Sequence, residues 1–410
     1  MNRQATHIQP SHNLYNSTCL APAEALTQMM SGFRVTQLIY VAAELSIADL
    51  VQDAPKSADE LASLVGVNHE ALYRVMRGLA SIGVFAQQED GRFVQTPYSY
   101  YLQTGIPGSL RPRILFWGQE WNQRAWSNIL QTVKTGESGF NAAFGMGFFE
   151  SLAQHSQVTR RFDEHIASRT TACAHAVVTA YDFSQFDNIV CVGGGYGALI
   201  VPILQANPHM SGVVFDLPSA SEVAKQYIET AGLTERCSVI AGNFFASVPK
   251  GGDLYVLSEV IHSYDDDSGL AILKNCHQAM AAGGSILLVE KVMTPCNATS
   301  FEMIMQHITL LLETGGRERT EDEYAALLQA ADFALTKTIP TESPLSVIEG
   351  VPLEASLNSP HRRQFNENIF MSARGRGEAS LNQPHLVGGN EDNTASIHSF
   401  ALNSIQEVHS

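Results

Sequence analysis

The second half of the chain carries a glycine cluster, an isolated acid and a histidine. Their order along the chain is typical of a nucleoside-binding site followed by a catalytic base. The cluster, VGGGYG at 192–197, directly follows the apolar run NIVCV. Glycines at a strand-to-helix turn let the backbone bend tightly and approach a ligand closely. Residue 198 is Ala, where a nicotinamide site would have the third glycine of G-x-G-x-x-G. The pattern therefore favours a nucleoside whose amino-acid tail lies over the turn, with Gly193, Gly194 and Gly195 as candidate contacts.

Polar or aromatic side chains follow the next two apolar runs. Asp216 ends the run GVVFD and lies 23 residues beyond Gly193, as 216 − 193 gives. An acid at about this distance binds the ribose hydroxyls in nucleoside sites, although a loop or N-cap acid is the alternative. Asn243 and Phe244 follow CSVIAG. They are candidates for a hydrogen bond to the adenine edge and for a contact with its face.

His262 follows a fourth apolar run, in the segment SEVIHSYDDD. A lone histidine is more often structural, but the carboxyl end of a strand is where open sheets bind ligands. Imidazole is suited to remove a proton from a phenol of pKa about 10. Glu290, at the end of the fifth run, and Glu318, in GGRERT, are both candidates to orient the ring. Glu318 is alternatively a helix-start acid or the partner of Arg317 or Arg319.

Strand and helix patterns alternate around these residues from 188 to 293. Alternation of this kind predicts an α/β fold, a mostly parallel sheet covered by helices on both faces. Two helices, at 301–316 and 321–332, and a strand at 333–341 follow. In a doubly wound sheet, all the candidate residues above stand at one edge.

The N-terminal part has the outline of a winged helix. Ser57 and Asn68 are predicted N-caps, and strands are predicted at 84–87 and 92–96. The helix at 68–82 would read DNA in such a scaffold, but residues 21–105 carry nine acids against five basic residues. A net charge of −4 disfavours contact with phosphates, so dimer packing is the preferred interpretation.

Five regions follow from these patterns. They are a flexible N-terminus at 1–20, the winged helix at 21–105, an aromatic-rich helical region at 106–185 that could wall an apolar pocket, the cofactor domain at 186–353, and a disordered polar tail at 354–410.

Bulk properties exclude several classes of protein. The net charge of −16 argues against a nucleic-acid partner. None of the six cysteines forms a CxxC pair, which argues against a zinc ribbon or a disulfide framework. The N-terminus lacks the apolar core of a signal peptide. The sequence contains no run of about 18 apolar residues, so no membrane span is expected. A cytoplasmic location is expected.

The chain resembles the S-adenosylmethionine-dependent O-methyltransferases of the caffeic acid and hydroxyindole type over about residues 21–341. Five motifs together carry the resemblance: VGGGxG at 192–197, FDLP at 215–218, GxFF at 242–245, VxHxxDD at 260–266 and GGRERT at 315–320. It implies a Rossmann-like doubly wound catalytic domain and an N-terminal winged-helix dimerisation domain. A homodimer and the absence of a metal are also implied.

The resemblance assigns roles to the candidate residues. S-adenosylmethionine would contact Gly193, Gly194 and Gly195 with its methionine part, Asp216 with its ribose, and Asn243, Phe244 and the backbone of Ser258 with its adenine. His262 would be the general base, flanked by Glu290 and Glu318. The implied acceptor contacts are Phe148, Phe162, Ile166, His307 and Leu310.

The chain departs from the family at several of these places. It has Cys191 and Asn243 where the family usually has acids, and Ser263-Tyr264 where it usually has Asp-Trp. Near the acceptor it has His307 for Asp and Ile166 for Met.

The leading hypothesis is methyl transfer to a hydroxyl of an aromatic or polyketide-like small molecule in secondary metabolism. Transfer to nitrogen is a near alternative. A second alternative keeps the cofactor without methyl transfer, in pericyclic, hydroxylation or decarboxylation chemistry. A ligand-sensing regulator is a third, and it rests on the winged helix alone.

Overall fold

The computed structural model describes residues 21–294 and 300–353. The predictions of a flexible segment at 1–20 and a disordered tail at 354–410 concern residues outside these ranges. Among the described helices, none has the length and apolar character needed to cross a membrane.

The N-terminal part folds as predicted, from local capping signals and a compact apolar core. Ser57 and Glu60 form a reciprocal capping box, and Asn68 caps the following helix through Ala71 N. The pairing of Phe85 with Gln95 sets the register of the small antiparallel ribbon. The elements are α1 Pro22–Met30, α2 Gly32–Glu44, α3 Ile47–Leu50, α4 Ala58–Val65, α5 His69–Ser81, β1 Phe85–Gln87, β2 Phe93–Gln95 and α6 Pro97–Tyr100.

Six helices connect this part to the sheet. They are α7 Arg111–Trp117, α8 Glu120–Ser127, α9 Ile129–Thr135, α10 Gly139–Phe144, α11 Phe148–Gln154 and α12 Ser156–Ala180. Phe116, Trp121, Phe140 and Phe148 form their core, with ring centroids 4.8–6.0 Å apart in the adjacent pairs. Tilted and edge-to-face rings at such distances pack favourably. The region is therefore an ordered aromatic cluster.

The seven-stranded sheet has the order β10-β11-β7-β6-β3-β4-β5. Its strands are β3 Asn188–Val192, β4 Ser211–Asp216, β5 Cys237–Ala241, β6 Leu254–Ser258, β7 Ser285–Glu290, β10 Phe333–Pro340 and β11 Ser346–Pro352. The first five are parallel, and β10 and β11 form an antiparallel hairpin beside β7. The chain reverses its direction of travel across the sheet between β3 and β6. A crevice opens at that point, beyond the carboxyl ends of the strands.

Helices cover both faces, which confirms the predicted α/β class. The remaining helices are α13 Ile200–Ala206, α14 Pro218–Thr230, α15 Asp266–Ala279, α16 Phe301–Glu313 and α17 Glu321–Ala330. Ile189 and Val214 contribute to the core shared with α12, α13 and α14, while Val190 and Leu257 contribute to the core shared with α15 and α17. Alternate residues of each strand thus enter opposite cores.

Two features of the sheet differ from the sequence expectation. The segment SILLVEKV at 285–292, whose apolar pattern predicts one continuous strand, is divided: β7 ends at Glu290, and β8 Val292–Met293 pairs with β9 Arg319–Thr320 in a separate two-stranded sheet. Lys291 lies at the break and points its ammonium group toward Glu259 and Glu318, at 3.9 Å from each. The strand β11 was not predicted, because Glu349 and Gly350 interrupt its apolar pattern.

Candidate active site

One cavity of about 370 Å³ opens at the carboxyl ends of β3, β4 and β6, between the sheet and the helices α11, α12 and α16. Its size is within the range of small-molecule sites. Predicted residues that line it are Phe148, Phe162, Ile166, Gly193, Gly194, Gly195, Asp216, Asn243, Phe244, Ser258, His262 and Leu310. The structure therefore gathers most of the candidate residues around one space.

The glycine turn presents bare backbone to this cavity. Gly193 and Gly195 have φ angles of +67° and +52°, a conformation that L side chains rarely adopt. A Cβ on Gly193 would lie 2.7 Å from Val260 Cγ2, so the turn also packs closely against the end of β6. The amides of Gly193 and Gly194 donate to the Phe215 carbonyl at 2.9 and 3.3 Å. These bonds fix the turn against β4.

Asp216 holds the same turn from the end of β4. Its Oδ2 accepts a hydrogen bond from Gly195 N at 2.7 Å, and its Oδ1 accepts one from Leu217 N at 2.6 Å. Burial raises the pKa of the carboxyl group, and the two amides act in the opposite direction. Each carboxylate oxygen has a second lone pair and the residue lines the cavity, so binding of ribose hydroxyls by Asp216 stays a prediction that the geometry permits.

At the end of β5, the side chain of Asn243 turns back on its own loop. Its Oδ1 accepts a hydrogen bond from Phe245 N at 2.9 Å, which leaves the amide NH₂ as the group free to donate. Phe244 packs edge-on against Tyr264, with ring centroids 5.9 Å apart. Ser258 lines the cavity, and its Oγ is buried without a hydrogen-bond partner within the described residues. Such a hydroxyl is expected to be satisfied by a ligand or by water.

His262 lies in a short 3₁₀ turn, Ile261–Ser263, directly after β6, and it is buried. Its Nδ1 lies 3.3 Å from Glu318 Oε2 and 3.4 Å from Glu290 Oε2. Hydrogen-bond geometry is met only toward Glu318. Glu290 instead accepts hydrogen bonds from Val260 N and Ile261 N through Oε1. Glu318 is thus the direct orienting partner, and Glu290 supports the turn and adds a second acid beside the ring.

The carboxylates around the His262 ring oppose the effect of burial on its pKa. Desolvation lowers the pKa of His262, but Glu318 and Glu290 raise it more, and the net direction is upward. The pKa of Glu318 is held below its ordinary value: burial opposes this shift, and His262 causes most of it. Burial raises the pKa of Glu290 to about 7. With Nδ1 committed to Glu318, Nε2 is the ring nitrogen left for the cavity.

The GGRERT segment supports the histidine turn from behind. A Cβ on Gly316 would lie 2.2 Å from the His262 carbonyl oxygen, so only glycine permits this approach. The amide of Arg317 donates to that carbonyl at 2.8 Å. Arg319 is fully buried and donates to Ile261 O, to Tyr264 O and to the Asp266 carboxylate at 2.8–3.1 Å. The segment therefore positions the base as well as supplying Glu318.

The prediction that His307 contacts the acceptor is not supported by the cavity wall, which does not include His307. Its Nδ1 accepts a hydrogen bond from Glu318 N at 3.1 Å, behind the base. On α16 the wall is formed instead by Gln306, Thr309, Leu310 and Glu313. Successive helical residues differ by about 100°, so position 307 falls off the face that these residues share.

Several ionisable side chains line the cavity without having been predicted, among them Asp163, Arg169 and Glu313. Arg169 forms an ion pair with Glu259 through two of its nitrogen atoms. Against the opposing effect of burial, the charge of Arg169 is the main cause that lowers the pKa of Glu259 to about 2. Burial raises the pKa of Glu313 to about 8, and its Oε1 has no hydrogen-bond partner in the described ranges. The sequence signal was the spacing of Asp163, Ile166 and Arg169, which is that of one helix face.

Comparison with known proteins finds two family models that match this chain. A family model described as the O-methyltransferase domain matches residues 126–334. A second, described as the O-methyltransferase dimerisation domain, matches residues 27–105.

Two curated relatives are similar along nearly their whole length. The phenazine O-methyltransferase PhzM of Lysobacter antibioticus is 44% identical, over 80% of this chain and 96% of its own. The phenazine-1-carboxylate N-methyltransferase of Pseudomonas aeruginosa is 32% identical, over 79% of this chain and 96% of its own. The relatives therefore include both oxygen- and nitrogen-directed enzymes.

Solved structures share the fold. That of LaPhzM has a TM-score of 0.78 and 43% identity, and it covers 81% of this chain and 100% of its own. That of NcsB1, an O-methyltransferase from neocarzinostatin biosynthesis, was solved with S-adenosylmethionine and 2-hydroxy-5-methyl naphthoic acid. It has a TM-score of 0.70 and 28% identity, with 78% and 96% covered.

Proposed function

The chain belongs to the O-methyltransferase family, and on that premise we propose that it methylates a hydroxyl oxygen of a multi-ring aromatic small molecule. It is an S-adenosylmethionine-dependent methyltransferase of secondary metabolism. The single observation that supports oxygen as the acceptor is the buried histidine at the cavity wall, which Glu318 orients and which has Glu290 as a second acid beside it. Attack by a phenol requires loss of a proton, for which such a histidine is suited.

The cavity fits S-adenosylmethionine. The glycine turn offers backbone without side chains, Asp216 offers carboxylate lone pairs, and the unpartnered Ser258 hydroxyl lies on the same wall. We assign the methionine part to the turn, the ribose to Asp216, and the adenine to Asn243, Phe244 and Ser258. When bound, the cofactor supplies an electrophilic methyl group.

His262 acts as the general base. The neutral ring donates Nδ1–H to Glu318, which fixes the tautomer with the lone pair on Nε2. Nε2 takes the phenolic proton, and Glu318 and Glu290 stabilise the imidazolium that results. The remaining demand is alignment of acceptor and methyl group at about 3 Å, which the walls of the cavity provide.

The acceptor half of the cavity favours a flat, uncharged molecule. Phe116, Trp117, Phe148, Phe149 and Phe162 contribute apolar ring surface to it. The one cation on this wall within the described residues, Arg169, is already paired with Glu259. Glu313 adds a hydrogen-bonding group that is protonated at neutral pH. A hydroxylated fused-ring compound, such as a phenazine of the kind named for the Lysobacter relative, meets these requirements.

The assignment is tested by incubating the purified protein with labelled S-adenosylmethionine and a panel of phenols, hydroxyphenazines and matched aromatic amines. We expect a mass gain of one methyl group on a hydroxyl compound, together with one equivalent of S-adenosylhomocysteine. Methylation confined to amines would replace the proposal by nitrogen transfer, as in the Pseudomonas relative. A product formed without S-adenosylhomocysteine would indicate the non-methylating alternative.

The winged-helix region at 21–105 is proposed to hold two copies of the chain together as a homodimer. Residues 27–105 match the dimerisation domain, and α1 and α2 expose a row of large apolar side chains. These are Leu26, Met29, Met30 and Phe33, each more than half exposed. Apolar rows of this kind on a helix pair are typical of interfaces between subunits.

The pH dependence of turnover follows from the charges on the base. Because only the neutral imidazole accepts a proton, kcat/KM for a phenol should rise with pH, with a midpoint above the ordinary histidine value of about 6.5. Glu318→Gln removes the carboxylate that favours the protonated ring, so the midpoint should move to lower pH. The measurement is a pH–rate profile of both proteins.

The matched control is Glu321→Gln, which removes an exposed acid three residues away on α17. Its midpoint should equal that of the wild type. A Glu318→Gln midpoint that stays in place or rises would contradict the role assigned to Glu318.

A further inference from the structure

Asp163 is an acid of the cavity wall that the proposed mechanism does not use. It lies on α12 and lines the cavity together with Tyr196, the residue between Gly195 and Gly197 in the glycine turn, and the two side chains are close enough to shift each other's pKa. This proximity places Asp163 beside the turn, on the helix side of the cavity. It therefore faces the space assigned to the methionine part of the cofactor.

No basic side chain compensates this acid within the described part of the chain. The charged groups that act on it are Asp216 and Glu164, both of the same sign. Glu164 pairs with Arg160 at 2.9 Å on the outer face of the helix. Burial, with Asp216 as the second cause, raises the pKa of Asp163 to about 7. A half-buried carboxyl group that lacks a basic partner gains from a cation supplied by a ligand.

The residues beside Asp163 on the cavity wall are less suited to bind a cationic group of the ligand. Cys191 precedes the turn and lines the cavity, but burial raises the pKa of its thiol to about 12, so it stays neutral. The glycines have no side chains. Asp216 already accepts hydrogen bonds from the amides of Gly195 and Leu217, and its remaining lone pairs are assigned to the ribose hydroxyls.

S-adenosylmethionine carries two positive groups, the sulfonium and the α-ammonium. The sulfonium must face the acceptor and His262 for transfer to occur, whereas the amino-acid end lies over the glycine turn. We propose that Asp163 binds the α-ammonium group of the cofactor, with Tyr196 orienting the carboxylate. A charge-assisted hydrogen bond of this type would contribute to cofactor binding and not to proton removal.

Binding measured by calorimetry without an acceptor tests the assignment. S-adenosylhomocysteine carries the ammonium group, and 5′-methylthioadenosine lacks the amino-acid part altogether. In Asp163→Asn, a near-isosteric change, the Kd for S-adenosylhomocysteine should rise at least about tenfold. The Kd for methylthioadenosine should stay within about twofold of the wild-type value.

Glu164→Gln is the matched control, because it removes the same charge from the adjacent position, which does not line the cavity. Both ligands should bind this variant as they bind the wild type. An unchanged Kd for S-adenosylhomocysteine in Asp163→Asn would overturn the proposal. Equal weakening of both ligands would also overturn it, since that result indicates a distorted cavity.

Weakened binding of S-adenosylmethionine with normal binding of S-adenosylhomocysteine would assign Asp163 to the sulfonium and would likewise overturn the proposal. No acceptor or turnover enters these measurements. Their outcome is therefore independent of whether the acceptor atom is oxygen or nitrogen.

Discussion

Replacing His262 with alanine is expected to lower kcat for a phenolic acceptor by about 10²- to 10⁴-fold, the usual contribution of a positioned general base. The Kd for S-adenosylhomocysteine should stay within about threefold of the wild type, because the proposed cofactor contacts come from other residues. The ring is buried, and its Nδ1 is held by Glu318, which leaves Nε2 as the nitrogen that takes the proton. Single-turnover rates and calorimetry on the same protein preparation provide the two measurements.

The control for this variant is His69→Ala, which removes a half-exposed histidine of α5 in the N-terminal region. Its kcat should equal that of the wild type. A His262→Ala rate within about threefold of wild type on a phenol would refute the role of the base.

Chelation by EDTA should leave the wild-type rate unchanged. This result is expected if the side chains of His262, Glu290 and Glu318 act through hydrogen bonds and not through a bound metal ion.

The second large effect concerns stability. Arg319→Met should lower the free energy of unfolding by about 2–4 kcal/mol, because two backbone carbonyl oxygens lose a charged hydrogen-bond donor. The guanidinium group is fully buried and donates to Ile261 O and Tyr264 O, on either side of His262. Methionine fills a similar volume but leaves these carbonyl oxygens without donors. Urea denaturation followed by circular dichroism measures the change.

Arg317→Met is the matched control two residues away. Arg317 is 43% exposed and pairs with Asp266 and Glu323 at the surface. Surface pairs of this kind contribute little, so the loss should be below about 1 kcal/mol. Equal losses in the two variants would show that burial of Arg319 is not what stabilises the histidine turn.

The cofactor half of the site was the part most accessible from sequence. A glycine turn after a buried strand, an acid 23 residues later and polar residues at the following strand ends are local patterns. A parallel sheet then brings them to one edge without further information. The predicted residues Gly193, Asp216, Asn243 and Ser258 accordingly all line the cavity.

The choice between Glu290 and Glu318 needed the structure. Both acids follow local signals, but which one meets the hydrogen-bond geometry depends on how closely residue 316 approaches the His262 carbonyl. That approach joins segments more than 50 residues apart. His307 shows a different limit. Side chains of neighbouring helical residues point about 100° apart, so a prediction displaced by one residue selects a side chain behind the cavity wall.

The unpredicted acids illustrate a further limit. Asp163 and Glu313 are separated by 150 residues, and neither belongs to a short motif. Their importance comes from their place in the cavity wall without an ion pair among the described residues, a property of tertiary packing that a sequence pattern does not contain. The strand β11 was missed for a related reason, because its neighbours β7 and β10 determine its position.

The polypeptide from α16 through residues 315–320 to α17 has a practical consequence for redesign. The same stretch lines the acceptor space with Leu310 and Glu313, carries Glu318, and anchors the histidine turn through Gly316 and Arg319. Mutations made there to change acceptor preference will also disturb the catalytic base. Directed evolution of new acceptors should instead target positions such as Phe149 on α11 and Ile166 on α12, which shape the cavity at a distance in sequence from the base.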